Sequence, residues 1–174
     1  ILTPTLVARI GLEYNRVSGL QHNPYRMVYA AGTNVYERHP NSRVRRDAFL
    51  KIHQYLSNRS SLKFDYRLYG DDWGLLSHEA AGSLSQYVTR GLYAQYHYRW
   101  YTQAAADFWR EDYANTQGVG GYLTGDYRLS RLRSHLFGFA VNADFGALAP
   151  DSRKLRRFAL SLDYERYFNS NNYS

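Results

Sequence analysis

Cysteine is absent from this 174-residue chain, so it holds no disulfide framework, no thiolate metal site and no thiol nucleophile. Long apolar runs are absent as well. No stretch approaches the ~18–20 consecutive apolar residues of a membrane helix, and mean hydropathy is −0.59, which excludes helical spanning. A β-barrel is not excluded, because its strands need only about 9–11 residues with every second one apolar. Lysine is scarce: Lys51, Lys63 and Lys154 stand among 22 basic residues. A charged and then apolar leader is missing ahead of Ile1. An exported barrel has one, so the expectation is that it was removed or that these residues are a later portion of a longer protein.

What is abundant is aromatic. Eighteen tyrosines and three tryptophans suit a membrane–water boundary, where the ring sits in the apolar layer and the polar tip stays wet. The net charge of +7 is carried by arginine, which favours bidentate phosphate or carboxylate partners. Those partners are lipopolysaccharide, an anionic solute, or simply the chain's own acids.

Period-2 alternation of apolar and polar residues recurs along the chain and predicts eight strands. The first, 3–17, sets Leu6, Ala8, Ile10, Leu12 and Tyr14 against Arg9, Gly11, Glu13 and Asn15. The others fall at 45–57, 61–70, 76–88, 91–102, 118–129, 135–146 and 156–168. Short turns at 58–60, 89–91 and 130–134 alternate with longer connections at 18–44, 70–75, 103–117 and 147–155, the asymmetry of outer-membrane barrels. Within the first connection, 27–36 reads as extended and Glu37-Arg38-His39-Pro40-Asn41 as a charged tip. No linker or low-complexity tract interrupts the pattern, so 1–174 reads as a single domain.

The stretch YRLYGDDWGLLSHEAA, 66–81, organises the rest. Ahead of it Leu62, Phe64, Tyr66 and Leu68 share one face, and Lys63, Asp65, Arg67 and Tyr69 the other. In the turn Gly70-Asp71-Asp72-Trp73-Gly74, two glycines supply φ > 0 and two aspartates bond their own backbone. The run DDWGLLSH, with TPTLVARIGLEYNRVSGLQHNPYRMVY at 3–29 and RGLYAQYHYRWYTQAAADFW at 90–109, resembles DUF3570, a family of bacterial outer-membrane β-barrel proteins of unknown function. The resemblance covers most of the chain. It implies the outer membrane of a Gram-negative bacterium and brings no assigned chemistry. It also implies a larger barrel, since the NPYR segment lies well inside such chains. The polar NSNNYS after Tyr167-Phe168, where a terminal aromatic strand is usual, points to a missing closing strand.

The combined expectation is an all-β, antiparallel up-and-down transmembrane β-barrel of about eight strands, complete or part of a larger one. Its apolar rows face lipid. Its lumen is lined by Lys63, Asp65, Arg67, His97, Arg99, Asp126, Arg128, Arg157, Asp163 and Glu165, whose mixed signs suit a narrow wet bore held by cross-strand ion pairs at ~0–1 kcal/mol each. The function expected is a non-enzymatic pore, scaffold or sheath, with outer-membrane lipid and lipopolysaccharide as partners and another protein subunit as an alternative filling. A soluble tyrosine-rich barrel would turn the same apolar rows inward.

Candidates for chemistry are few. The extracellular loop motif Asp71, Asp72, Trp73, Gly74 and His78 offers paired carboxylates and a histidine for a rim hydrolase, or a turn with Asx bonds. Ser77-His78 is no dyad, because adjacent strand residues point to opposite faces. Asp71, Asp72, Asp107, Glu111 and Asp112 have the oxygens for Ca²⁺, and equally suit solvated loops. His39, His53, His97 and His135 show no metal spacing, and Gly118, Gly120, Gly121 and Gly125 no phosphate loop. No cofactor and no metal are expected. Nucleic acid is not expected either, because the arginines alternate with acids over all strands.

Overall fold

The computed structural model describes residues 1–116, 118 and 120–170, the side chains of Arg156 and Ser170 excepted. The fold is all-β and antiparallel. Among the described residues nine strands form: β1 (Leu6–Ser18), β2 (Met27–Ala30), β3 (Thr33–Tyr36), β4 (Ser42–Leu56), β5 (Ser60–Asp71), β6 (Leu76–Thr89), β7 (Leu92–Gln103), β8 (Leu132–Asp144) and β9 (Ala159–Ser170). Seven of them make one sheet in the order β1-β4-β5-β6-β7-β8-β9, and β2 and β3 make a separate hairpin. The large sheet is open, with β1 and β9 at its edges, where the sequence and its resemblance led to the expectation of a barrel of about eight strands, complete or part of a larger one.

The sixth expected strand is the error. Residues 118–129 contain no β-strand; the described part is loop that ends in a 3-10 turn, Tyr127–Leu129, while Val119 lies outside the described residues. Gly118, Gly120 and Gly121 all have positive φ, which breaks a pleat rather than bending one. The strand expected from 156 likewise begins later, at Ala159, because Leu155–Arg157 form a 3-10 turn. Gly70 needs no left-handed conformation: it pairs with Leu76 inside the β5–β6 ladder. Gly74 alone turns there, at φ 85°.

Register carries the apolar pattern across the whole sheet. One row runs Ala8, Ile52, Phe64, Gly82, Tyr98 and Phe137 from β1 to β8 and ends on Arg166 of β9. The next runs Ile10, Leu50, Tyr66, Ala80, Trp100, His135 and Phe168. The intervening rows carry the charges: Arg9, Lys51, Asp65, Ala81 and Arg99, then Phe49, Arg67, Glu79 and Tyr101. The sheet therefore has one apolar and one polar face. The apolar face is not packed into a core. Ile10 is 77% exposed, Leu12 83%, Phe64 44%, Phe137 50% and Leu162 56%.

The buried apolar clusters among the described residues lie in the connections instead. Trp73, Leu75, Ala106, Phe108 and Leu129 form one, and Ala30, Tyr113 and Leu123 the other. With the spurious strand removed, the connections 19–41, 72–75 and 104–131 leave one end of the sheet, and 57–59, 90–91 and 145–158 leave the other. The segment 104–131 folds onto the β2–β3 hairpin through bridges Ala30–Tyr113 and Arg38–Leu123, making a cap. The buried Tyr113 hydroxyl donates to the Phe108 carbonyl at 2.6 Å and accepts from Arg110 N at 3.0 Å and Thr124 N at 3.1 Å.

The cap is pinned to the sheet at the β5–β6 turn. There Asp107 N donates to the Trp73 carbonyl at 2.8 Å, and a Cβ on Gly74 would overlap the Asp107 carboxylate. Gly74→Ala thus meets both an unfavourable φ and a collision. It is expected to destabilise the cap by about 1–3 kcal/mol, seen as a lower unfolding midpoint in Trp73-dominated fluorescence; an unchanged midpoint would refute this attachment.

Candidate functional site

Between the cap and the polar face lies a cavity of about 510 Å³. The sheet contributes Arg67, Tyr69, Ser77, Glu79, Tyr101 and Gln103; the cap contributes Gln21, His39, Asp126 and Arg128. Alternation explains the first group, since odd-numbered positions of β5, β6 and β7 share one face through the ladder. Gln103 joins the two layers, donating from Nε2 to the carbonyls of Arg128 at 2.8 Å and Ser130 at 2.6 Å.

The turn motif serves as an anchor for this cavity. Asp71 accepts from Arg43 Nε at 2.8 Å and Nη2 at 2.6 Å, from the Tyr69 hydroxyl at 2.8 Å, and from the backbone N–H of Trp73 and Leu75 at 3.0 and 3.1 Å. Its carboxylate is fully buried. The Arg43 guanidinium stacks 4.3 Å over Trp73, whose indole N–H donates to the Ser42 carbonyl at 2.9 Å. Asp72 accepts from Val44 N at 2.9 Å. His78 is on the other side of the sheet, where its Nδ1 meets the Tyr66 hydroxyl at 2.7 Å. The structure thus does not bring Asp71, Asp72 and His78 together, and Ser77 lines the cavity while His78 faces away. Among the described residues no three acidic or histidine side chains gather as a metal site.

In the cap, the residues read as a charged tip are partly internal: Glu37 is 2% exposed and His39 5%. Glu37 accepts hydrogen bonds from the Thr124 hydroxyl and from Gly125 N at 3.1 Å. It stands 3.9 Å from Arg26 and 3.3 Å from His39 Nε2. His39 Nδ1 lies 3.3 Å from the Gln21 carbonyl, and its ring packs edge-on against Trp73 at 5.2 Å. Asp126 accepts from Arg128 Nε at 3.0 Å and Nη2 at 2.7 Å and pairs with Arg26 at 3.2 Å. Burial works to raise the Asp126 pKa, but the Arg128 hydrogen bonds and the two guanidinium charges outweigh it and hold the group at about 2. Burial raises the Tyr113 phenol above its ordinary value.

The expected bore-lining residues divide. Lys63, Asp65, Arg67, His97, Arg99, Asp163 and Glu165 all occupy the polar face by register. Asp126 and Arg128 belong to the cap, and Arg157 to the 3-10 turn at the opposite end. The ion-pair ladder is sparse: Arg67 pairs with Asp47 on β4, and His97 Nε2 with Glu165 at 3.0 Å. His97 reaches Glu165 by lying over Gly138 on the strand between, where any Cβ would strike the imidazole. Sequence reading missed Glu37, Arg43, Gln103, Tyr113 and Thr124. Only the first left a trace, because Glu37 and His39 alternate with Arg38 in an extended segment.

The family model described as a protein of unknown function, DUF3570, matches residues 1–171. No curated protein matches, and no solved structure does.

Because the Asp126 pKa is depressed below its unfolded value, its contribution to stability is complete above about pH 4 and is lost as pH falls through about 2. Arg128→Gln is expected to raise that pKa and move the acid release of the cap toward pH 4. Carboxyl NMR titration checks this, and an unshifted midpoint would contradict it.

Proposed function

Because the chain belongs to the DUF3570 family, we propose that it forms part of the wall of a bacterial outer-membrane β-barrel, acting without catalysis as a pore, scaffold or sheath around a polar interior. One observation carries this reading: a largely apolar face shared by seven strands remains exposed, with Arg166 its mid-strand charge, while the opposite face holds most of the charges and the capped cavity. In water such a face is far beyond the few hundred Å² that monomers usually expose. In lipid it is the required surface. Strands of 12–15 residues exceed the length a tilted crossing needs.

Parity adds a condition. Seven strands alternating in direction leave β1 and β9 running the same way. Joining them directly would give a parallel seam, whereas bacterial barrels keep an even, antiparallel count. The proposed barrel accordingly closes with an odd number of further strands, each edge meeting an antiparallel neighbour. A second copy in the same orientation would not serve, for its own edges also run that way. The hairpin β2–β3 is unsuited, with four residues per strand and its place already taken in the cap.

The loop acids do not support the hydrolase alternative, since Asp71 is consumed by Arg43, Tyr69 and the turn backbone. Partners expected on this reading are outer-membrane lipid and lipopolysaccharide at the outer surface. Arginine on the apolar face provides the test. Phe64→Arg or Phe137→Arg, in one mid-strand row, should cost ~2–4 kcal/mol of folding into liposomes, whereas Ser85→Arg on the polar face should cost under ~1 kcal/mol. Equal tolerance on both faces would overturn the proposal, as would a chain stable in buffer without detergent.

A further inference from the structure

Ion pairing on the polar face is uneven along the strands. Toward the cap, Arg43, Arg67 and Arg128 each have a carboxylate partner. Toward the short-turn end pairing thins on β1, β4 and β5, while His97 and Glu165 pair across β8 in the row of Lys63. Arg9 stands directly opposite Lys51, and His53 directly opposite Lys63. In the same row as Arg9 and Lys51 come Asp65, Ala81 and Arg99. Among the described residues, Arg9, Lys51, Lys63 and Arg99 have no carboxylate within ion-pair distance. Arg9 and Lys51 instead flank the Phe49 ring, 5.4 and 5.8 Å from its centroid. Arg9, Lys51, His53, Lys63 and Asp65 surround a recess of about 250 Å³.

Like charges directly opposite one another oppose sheet formation, and the one acid among them, Asp65 opposite Lys51, balances a single cation. Two of the chain's three lysines stand here. At the recess three fixed cations, Arg9, Lys51 and Lys63, stand against one carboxylate, Asp65, and match an anion with more than one charge and several acceptor oxygens. Lysine and arginine together bind phosphate well, lysine as a point charge and arginine as a fork. Walls of low dielectric would strengthen that attraction.

We infer that this basic belt binds a free phosphate-type oxyanion, and that in the proposed barrel it makes the interior select anions. The inference rests on the barrel reading for its selectivity only. Binding is expected of the folded protein in any setting.

Inorganic phosphate titrated into the detergent-folded protein, followed by ³¹P line broadening, gives the test. Lys51→Gln with Lys63→Gln should weaken binding by about 10-fold or more. Lys51→Arg with Lys63→Arg should retain it, as should Arg90→Gln in a turn far from the recess. Binding should also weaken steeply between about 50 and 200 mM salt. In planar bilayers the double glutamine variant should lose anion preference. Phosphate affinity indifferent to Lys51 and Lys63, with folding intact, would overturn the inference. So would saturation of the belt by phosphatidylglycerol headgroups in nanodiscs in place of free phosphate. A protein that binds phosphate through these lysines yet never enters a bilayer would sink the barrel reading and leave this one standing.

Discussion

Cross-strand register is the constraint on which everything else rests. Side chains alternate with period 2, so a one-residue slip between any two neighbours would move a whole strand's apolar set to the other face. Six consecutive pairings, from β1–β4 to β8–β9, keep the same rows in line. The β6–β7 ladder departs from its register once, between Tyr87 and Thr89 at its short-turn end. The two-sided sheet follows directly, and with it the need for two different solvents. Greasy rows want a partner that does not hydrogen-bond; charged rows want water, ions or each other.

The cap shows how the polar side is closed at one end. Burying Glu37, Asp71 and Asp126 carries a desolvation cost, offset in each case by several donors. These three carboxylates tie together segments distant in sequence: Glu37 with Thr124, Asp71 with Arg43, Asp126 with Arg26. Carboxylates engaged in this way fix one geometry, and here they hold a cavity open over the sheet instead of filling it, with the buried Nε2 of His39 left without a hydrogen bond. The charged rows beyond have no such closure. Pairing is dense near the cap and sparse toward the short turns, where His97–Glu165 is one pair and β1, β4 and β5 carry cations without carboxylate partners, so the electrostatic character of the polar face changes along its length.

Alternation made most of this legible from sequence. β1, β5, β7 and β8 fall within a few residues of where apolar spacing put them, because nothing else explains Leu92, Ala94, Tyr96, Tyr98 and Trp100 on one side of a segment. The segment 118–129 misled because two apolar residues, Leu123 and Tyr127, were enough to imitate a strand. Adjacent burial of Leu123 and Thr124 is a loop property that no period can express. Glu37, Tyr113 and Thr124 were hidden for a related reason. Their partners lie tens of residues away, and a cap made of connections has no periodicity to betray it. The loop motif was visible but misread in part: Asp71 proved an anchor for Arg43, and His78 belongs to the apolar face beside Tyr66.

The most direct test of the two-solvent account is site-by-site accessibility along β5. Spin labels placed singly at 62–69 in bilayer-reconstituted protein would be read against oxygen, which partitions into lipid, and a water-soluble nickel complex. The account predicts a strict two-residue oscillation, with 62, 64, 66 and 68 favouring oxygen and 63, 65, 67 and 69 favouring nickel. Uniform nickel access along the strand, or the opposite phase, would contradict it.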